Sequence, residues 1–201
     1  MVVGTTVVYI NCYSEYGHKG LLPTQRKIYS NQTGAFPYKS SRGSQYLLVM
    51  YDYESNAIVF EPLKTRQRKA MAQAFEKCCQ KLKVNTTDSN MFVLDNKCSN
   101  EIKKLIKSNN ANYQLVPPYQ HHLNSAEKAI RTVKSHLLSG LATCHKNFPI
   151  TEWDRLLPQA ELTLNLLRNS RVNPKLSTWE FLNMDWWILT KLQWHHQNQT
   201  F

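Results

Sequence analysis

The sequence predicts an α/β domain: a mixed five-stranded sheet with helices on both faces. Three observations carry that prediction. Short apolar runs of strand length alternate with amphipathic stretches of helix length. The first runs are joined by turns too short for a crossover, whereas the later ones are joined by helices. The chain of 201 residues, 42% hydrophobic, is long enough for one ordinary domain with its own core.

The elements follow in order. "KIYSNQ" from Lys27 reads as a short strand, closed by the turn-formers of "TGAFP". "QYLLVMYDY" (Gln45–Tyr53) reads as a buried strand, "ESN" as a turn and "AIVFEPL" as its antiparallel partner. Asp52, at this strand–turn junction, is expected to hydrogen-bond the turn backbone. "RQRKAMAQAFEKCCQKLK" (Arg66–Lys83) is a long helix, with Ala70, Ala74, Cys78 and Leu82 on one side and basic residues on the other. "MFVLD" (Met91–Asp95) is a wholly apolar strand ending in an acid. The helix "SNEIKKLIKSN" opens on Ser99 as its N-cap. "YQLVP" is a last strand, stopped by Pro117 and Pro118. A helix then runs to about Thr143, with Ile130, Val133, Leu137 and Leu141 as its apolar stripe. "ITEWDRLLPQAELTLNLLRNS" closes the pattern as an amphipathic helix that splits or kinks at Pro158.

Bulk properties narrow the function classes. Lys and Arg number 25 against 14 Asp and Glu, a net charge of +11, which favours polyanionic partners and makes nucleic acid the first candidate. No apolar run approaches the roughly 18 residues of a membrane-spanning helix. "MVVGTTVVYI" lacks the basic start and cleavage site of a secretory leader and reads as a strand or an irregular arm. The five cysteines are odd in number and include no C-x-x-C pair, which argues against a disulfide framework and for a reducing compartment.

Two acids stand out. Asp95 ends a buried strand, where open α/β sheets place their ligands. Glu127 follows 32 positions later at a helix edge, after one helix and one strand that can return it beside Asp95. Glu127, Arg131 and Lys134 form a row at i, i+4, i+7, with Lys128 adjacent. Clustered carboxylates beside cations suit Mg²⁺ or Mn²⁺ held against a phosphodiester. A plain solvated ion pair between Glu127 and Arg131 would give the same spacing.

The blocks "YSNQTGAFPYKSSRGSQYLLVMYDYESNAIVFEPLKTR", "FVLDNKCSNEIKKLI" and "YQLVPPYQHHLNSAEKAIRTVKSHLLSGLA" resemble the integrase core of LTR-retrotransposon polyproteins. "FPITEWDRLLPQAELTLNLLRNSRVNPKLSTWEFL" is similar to the closing helices of the same region. The resemblance covers roughly Lys27 to Leu182. It implies a ribonuclease-H-like fold, polynucleotidyl transfer for DNA integration by an Asp, Asp, Glu triad with divalent metal, DNA as partner, possible homo-oligomers and a nuclear location. The second acid of the triad matches Asp95 in "LDN" and the third matches Glu127 in "NSAEKAIR". The first falls on Asn31 in "YSNQTG", a departure that replaces a carboxylate by a neutral amide. Impaired catalysis is therefore expected, with a non-enzymatic DNA-binding or assembly fragment as the alternative. Lys128, Arg131 and Lys134, with His121 and His122, are the expected DNA contacts. Cys12 and His18 are all that "NCYSEYGHKG" offers in place of a zinc module, so zinc is not expected.

These expectations divide the chain into an arm (1–26), an integrase-like core (27–183) and a tail (184–201). Four of the five tryptophans fall in the last 23 residues, on neither a helical nor a strand period. Shifted by two bases, codons for "WILTKLQWHHQNQ" can spell Asp-Phe-Asn-Lys-Thr-Pro-Val-Ala-Pro-Pro-Glu-Pro, which resembles the family's continuation. A frameshift near Asn183–Trp187 and a functionless tail are expected.

Overall fold

The computed structural model describes residues 26–84, 90–95, 98–117 and 125–184. Cys12, His18, His121, His122, nearly all of the expected arm and the expected tail beyond Met184 lie outside these residues.

Connection length decides the sheet. Strands β1 (Arg26–Gln32), β2 (Tyr46–Asp52) and β3 (Ile58–Leu63) are joined by loops and pair as an antiparallel meander. Helix α1 (Arg68–Lys81) then returns the chain so that β4 (Asn90–Leu94) lies parallel to β1. Helix α2 (Asn100–Ser108) does the same for β5 (Asn112–Leu115), giving the order β3-β2-β1-β4-β5.

Alternation along the strands sorts side chains to the two faces. Ile28, Leu48, Met50, Phe92 and Leu94 meet Ala74, Phe75 and Cys78 of α1 and Ile102 and Ile106 of α2. On the opposite face Leu47, Val49, Tyr51, Ile58 and Phe60 meet Ala129, Val133 and Leu137 of α3 (Ser125–Thr143). Trp153 and helix α4 (Leu157–Leu166), through Leu157, Ala160 and Leu164, complete that layer.

Ser99 caps α2 as expected, its hydroxyl accepting the Ile102 N–H. The stripe of α3 is rotated from the expected one. Ala126 and Ala129 are buried with Val133 and Leu137, while Ile130 and Leu141 are only half-buried. Small residues let the helix approach the sheet closely, which periodicity of large apolar residues does not register. The closing segment splits beside Pro158, one of the two expected outcomes, rather than kinking there. A 3₁₀ segment (Ile150–Leu156) precedes α4, and Pro158 sits in the first turn of α4, where a missing N–H costs nothing. A short helix α5 (Thr178–Asn183) closes the core, opened by a capping box of Ser177 and Glu180. Asp52 also differs from expectation. Its Oδ2 accepts the Arg26 guanidinium at 2.7 Å and the Ser55 hydroxyl at 2.6 Å, not the turn backbone. Full burial explains this, because a carboxylate at 0% exposure needs a cation more than a turn needs a cap.

The outer edge of β3 is closed by side chains. The Asn165 amide both accepts from the Ile58 N–H and donates to the Ile58 carbonyl. Glu161, one turn earlier on α4, accepts the Phe60 N–H, and Lys81 of α1 donates to the Phe60 carbonyl. The next residue in the same alternation is Pro62, which has no N–H to offer.

Candidate functional site

The parallel ladder between β1 and β4 ends at the pair Ser30 and Leu94. Asn31 and Asp95, the next residues on each chain, therefore stand side by side at the carboxyl end of the sheet. Asn31 pairs across with Val49, which packs under α3, and Asp95 lies one residue beyond the end of β4.

Both residues line a cavity of about 90 Å³, bounded by the start of α1 and α2 and shared with Arg66, Arg68, Cys98 and Ser99. Such a volume suits water and small ions, well below the roughly 300–1,000 Å³ of ligand pockets. Arg66 is held in place by stacking 4.6 Å from the Tyr46 ring centroid and by donating to the Thr33 carbonyl at 2.8 Å. Arg68 pairs with Glu101 at 3.7 Å. Burial pushes the Cys98 thiol up to about 11, with Lys103 opposing and Asp95 adding, so it stays protonated at neutral pH.

Glu127 lies in the first turn of α3, half-buried. It is not among the residues lining the cavity. Asn31 and Asp95 thus share one cavity, which opens on the α1 and α2 face of the sheet, whereas Glu127 belongs to the helix packed on the other face. The cations of α3 separate. Lys128 lines a different cleft, with Tyr51, Tyr53, Arg168 and Arg171, to which Arg131 and Lys134 do not contribute.

A divalent metal needs clustered anionic oxygens. Among the described residues no group of three or more His, Cys, Asp or Glu side chains is arranged to hold one. Asn31 offers a neutral Oδ1 that already accepts the Gln32 N–H at 2.8 Å. The thiol beside it is protonated, and two guanidiniums share the cavity. This donor set does not fit a two-metal centre.

Sequence reasoning placed Asp95 and Asn31 together. It did not assign Arg66 and Arg68 to their cavity, although the Arg66–Lys69 run was visible as a basic cluster. Arg168 and Arg171 carried no periodic signal, because they sit in the irregular segment between α4 and α5.

A family model described as DDE superfamily endonuclease matches residues 25–148, more than half of the chain. No curated protein matches the sequence. Among solved structures, the chain is similar to one from the simian T-cell lymphotropic virus intasome in complex with PP2A regulatory subunit B56 gamma. The identity is 19% and the TM-score 0.63, over 85% of this chain and 58% of that one, so the present chain spans little more than half of that length. It is similar to the HTLV-2 integrase catalytic core domain in complex with magnesium, trimeric form, at 22% identity and TM-score 0.58, over 81% and 98% of the two chains. The catalytic core domain of BIV integrase matches at 15% identity and TM-score 0.54, over 87% and 98%. At these identities the likeness is one of fold. Among the described residues no helix is long and apolar enough to cross a membrane.

Proposed function

The chain belongs to the DDE superfamily endonucleases and has the ribonuclease-H-like fold of integrase catalytic cores, and from that premise we propose that it is a retrotransposon integrase core that binds DNA but is impaired in polynucleotidyl transfer. The observation that supports the reading is Asn31 beside Asp95 in one small, basic cavity. A carboxylate at position 31 would supply a second anion there. The amide supplies none, and Arg66 and Arg68 already favour anions over cations in that space. Mg²⁺ or Mn²⁺ would be held only where that charge is restored. The alternative, a DNA-binding or assembly fragment with no chemistry, differs only in whether residual activity survives.

DNA as the partner follows from the net charge of +11 and from the cations of α3, Lys128, Arg131 and Lys134. In this reading His121 and His122 approach phosphates, the chain self-associates as integrase cores do, and it acts in the nucleus. The core spans residues 27–183, and the residues after it are read as out of frame.

The test is Asn31→Asp. Calorimetric titration with Mg²⁺ should give little heat for the unmodified chain and a saturable isotherm for Asn31→Asp, lost again in Asn31→Asp/Asp95→Ala. Strand transfer by the unmodified chain should be undetectable. Robust transfer that Asp95→Ala abolishes would show that Asn31 is tolerated, and the impairment would be discarded.

A further inference from the structure

The second cleft has a volume of about 520 Å³ and lies between α3, the turn after β2 and the segment following α4. Tyr51 on its wall pairs with Tyr29, and Tyr53 bonds back to the Lys27 carbonyl, so the cleft stands toward the amino end of β1. The Asn31–Asp95 cavity is at the other end of that strand.

Three cations converge on this cleft: Lys128, Arg168 and Arg171. No acidic side chain lines it among the described residues. Arg171 lies 4.0 Å from the Tyr53 ring centroid, and Arg168 and Arg171 lie 5.8 and 5.9 Å from that of Tyr51. Two guanidiniums thus flank a single ring. Arg168 is fixed in plane by Nε donating to the Asn56 carbonyl at 2.9 Å and by Nη2 bonding to Asn56 Oδ1. Asn56 itself is anchored, its Oδ1 accepting the Tyr51 hydroxyl and its Nδ2 donating to the Asn169 carbonyl. Burial lowers the pKa of Arg168 and the charge of Arg171 pushes it the same way, against Tyr51. Like charges held together on a rigid support are relieved by a bound anion.

We infer that this cleft binds the phosphodiester backbone of a nucleic-acid strand, as a second contact apart from the Asn31–Asp95 cavity. Arg168 and Arg171 present forked donors suited to phosphate oxygens, and Lys128 adds a mobile point charge. The hydroxyls of Ser125 and Thr132 lie in the same lining, and Ser125 opens a helix of 19 residues whose dipole favours an anion at that end. The volume accommodates a phosphate with its sugars. Bases are not read there. Tyr51 is only 6% exposed, and Arg171 occupies one face of the Tyr53 ring, so the rings hold the guanidiniums rather than read base edges. Binding at the cleft is therefore indifferent to sequence and strongly salt-dependent.

The inference rests on the DNA-binding half of the proposed function, and the test separates the two. Fluorescence anisotropy with a short labelled duplex oligonucleotide, repeated over a salt series, compares the unmodified chain with Lys128→Gln/Arg171→Gln. A charge-matched control, Lys104→Gln/Lys107→Gln, removes two cations from α2. Both cleft residues are exposed, so folding is retained and circular dichroism checks it. The cleft pair should weaken binding and lower the log–log salt slope by about 2, and the control should leave the slope nearly unchanged. Arg171→Lys, which keeps the charge, should retain the slope. Equal effects of the two pairs, or an unchanged slope in the cleft pair, would overturn the cleft while leaving DNA binding standing. No binding by the unmodified chain would overturn both.

Discussion

Glu54 lies half-buried just after β2, its Oε2 accepting the Lys27 N–H at 2.9 Å. Burial pushes its carboxyl up to about 7, the Lys27 N–H opposes this, and the Asp52 charge adds to it. A carboxyl raised on folding stabilises the protein fully below its unfolded value of 4.5, and that contribution is lost as pH rises to about 7. Glu54→Gln keeps the acceptor without the charge. It should therefore raise the melting temperature at mildly alkaline pH by a few degrees and leave it little changed at acid pH, as measured by thermal denaturation at both. Asp52, two residues earlier, shows how far such roles were legible. The sequence marks an acid at a strand–turn junction, but Arg26 comes to Asp52 only through the antiparallel pairing of β1 with β2. That Asn31 and Asp95 stand side by side accords with the family motif that picks out each of them, and the parallel ladder of β1 and β4 is what brings them together. Glu127 was legible as a helix-edge acid, while its absence from the cavity lining depends on where α3 rests.

At the scale of elements, α3 is held by one narrow stripe. Leu137 is 2% exposed against the β2 side of the sheet, and Leu137→Ala should cost roughly 2–5 kcal/mol in urea denaturation. The contact of α4 with the edge of β3 works differently, through polar atoms rather than area. Asn165→Leu preserves volume but leaves the Ile58 N–H and carbonyl buried without partners. It should cost about 2–3 kcal/mol by the same measurement, a cost that comes from the unpaired backbone groups and not from packing. Strand identity and the meander were readable from alternation and turn length. The polar closure was not, because Glu161 and Asn165 read as ordinary solvent-facing positions of an amphipathic helix. Only the docking of α4 beside β3 turns them inward.

For the molecule as a whole, Lys81 joins the two helical layers around the sheet. It reaches Glu61 at 2.9 Å and Glu161 at 3.0 Å, linking α1 on one face to α4 on the other through β3. Burial raises the pKa of Glu161, and Lys81 holds that rise in check. In Lys81→Met the cation between the two carboxylates is gone, leaving Glu61 its longer ion pair with exposed Lys77 at 3.8 Å. Stability should fall by roughly 3 kcal/mol where both are charged and by less at mildly acidic pH, where Glu161 takes up a proton. Denaturation curves at the two pH values check this. The mixed five-stranded sheet was legible in the sequence, whereas the place of β4 beside β1 and the helices that meet across an edge strand are set by three-dimensional packing. The closed edge of β3 has one further outcome, visible by deuterium labelling. Amides on the rim of a sheet usually trade their protons with solvent within moments of local fraying. Those of Ile58 and Phe60 should instead hold theirs about as long as Val49 in the middle of the sheet, and a foreign strand arriving at that rim would find no free donor to pair with.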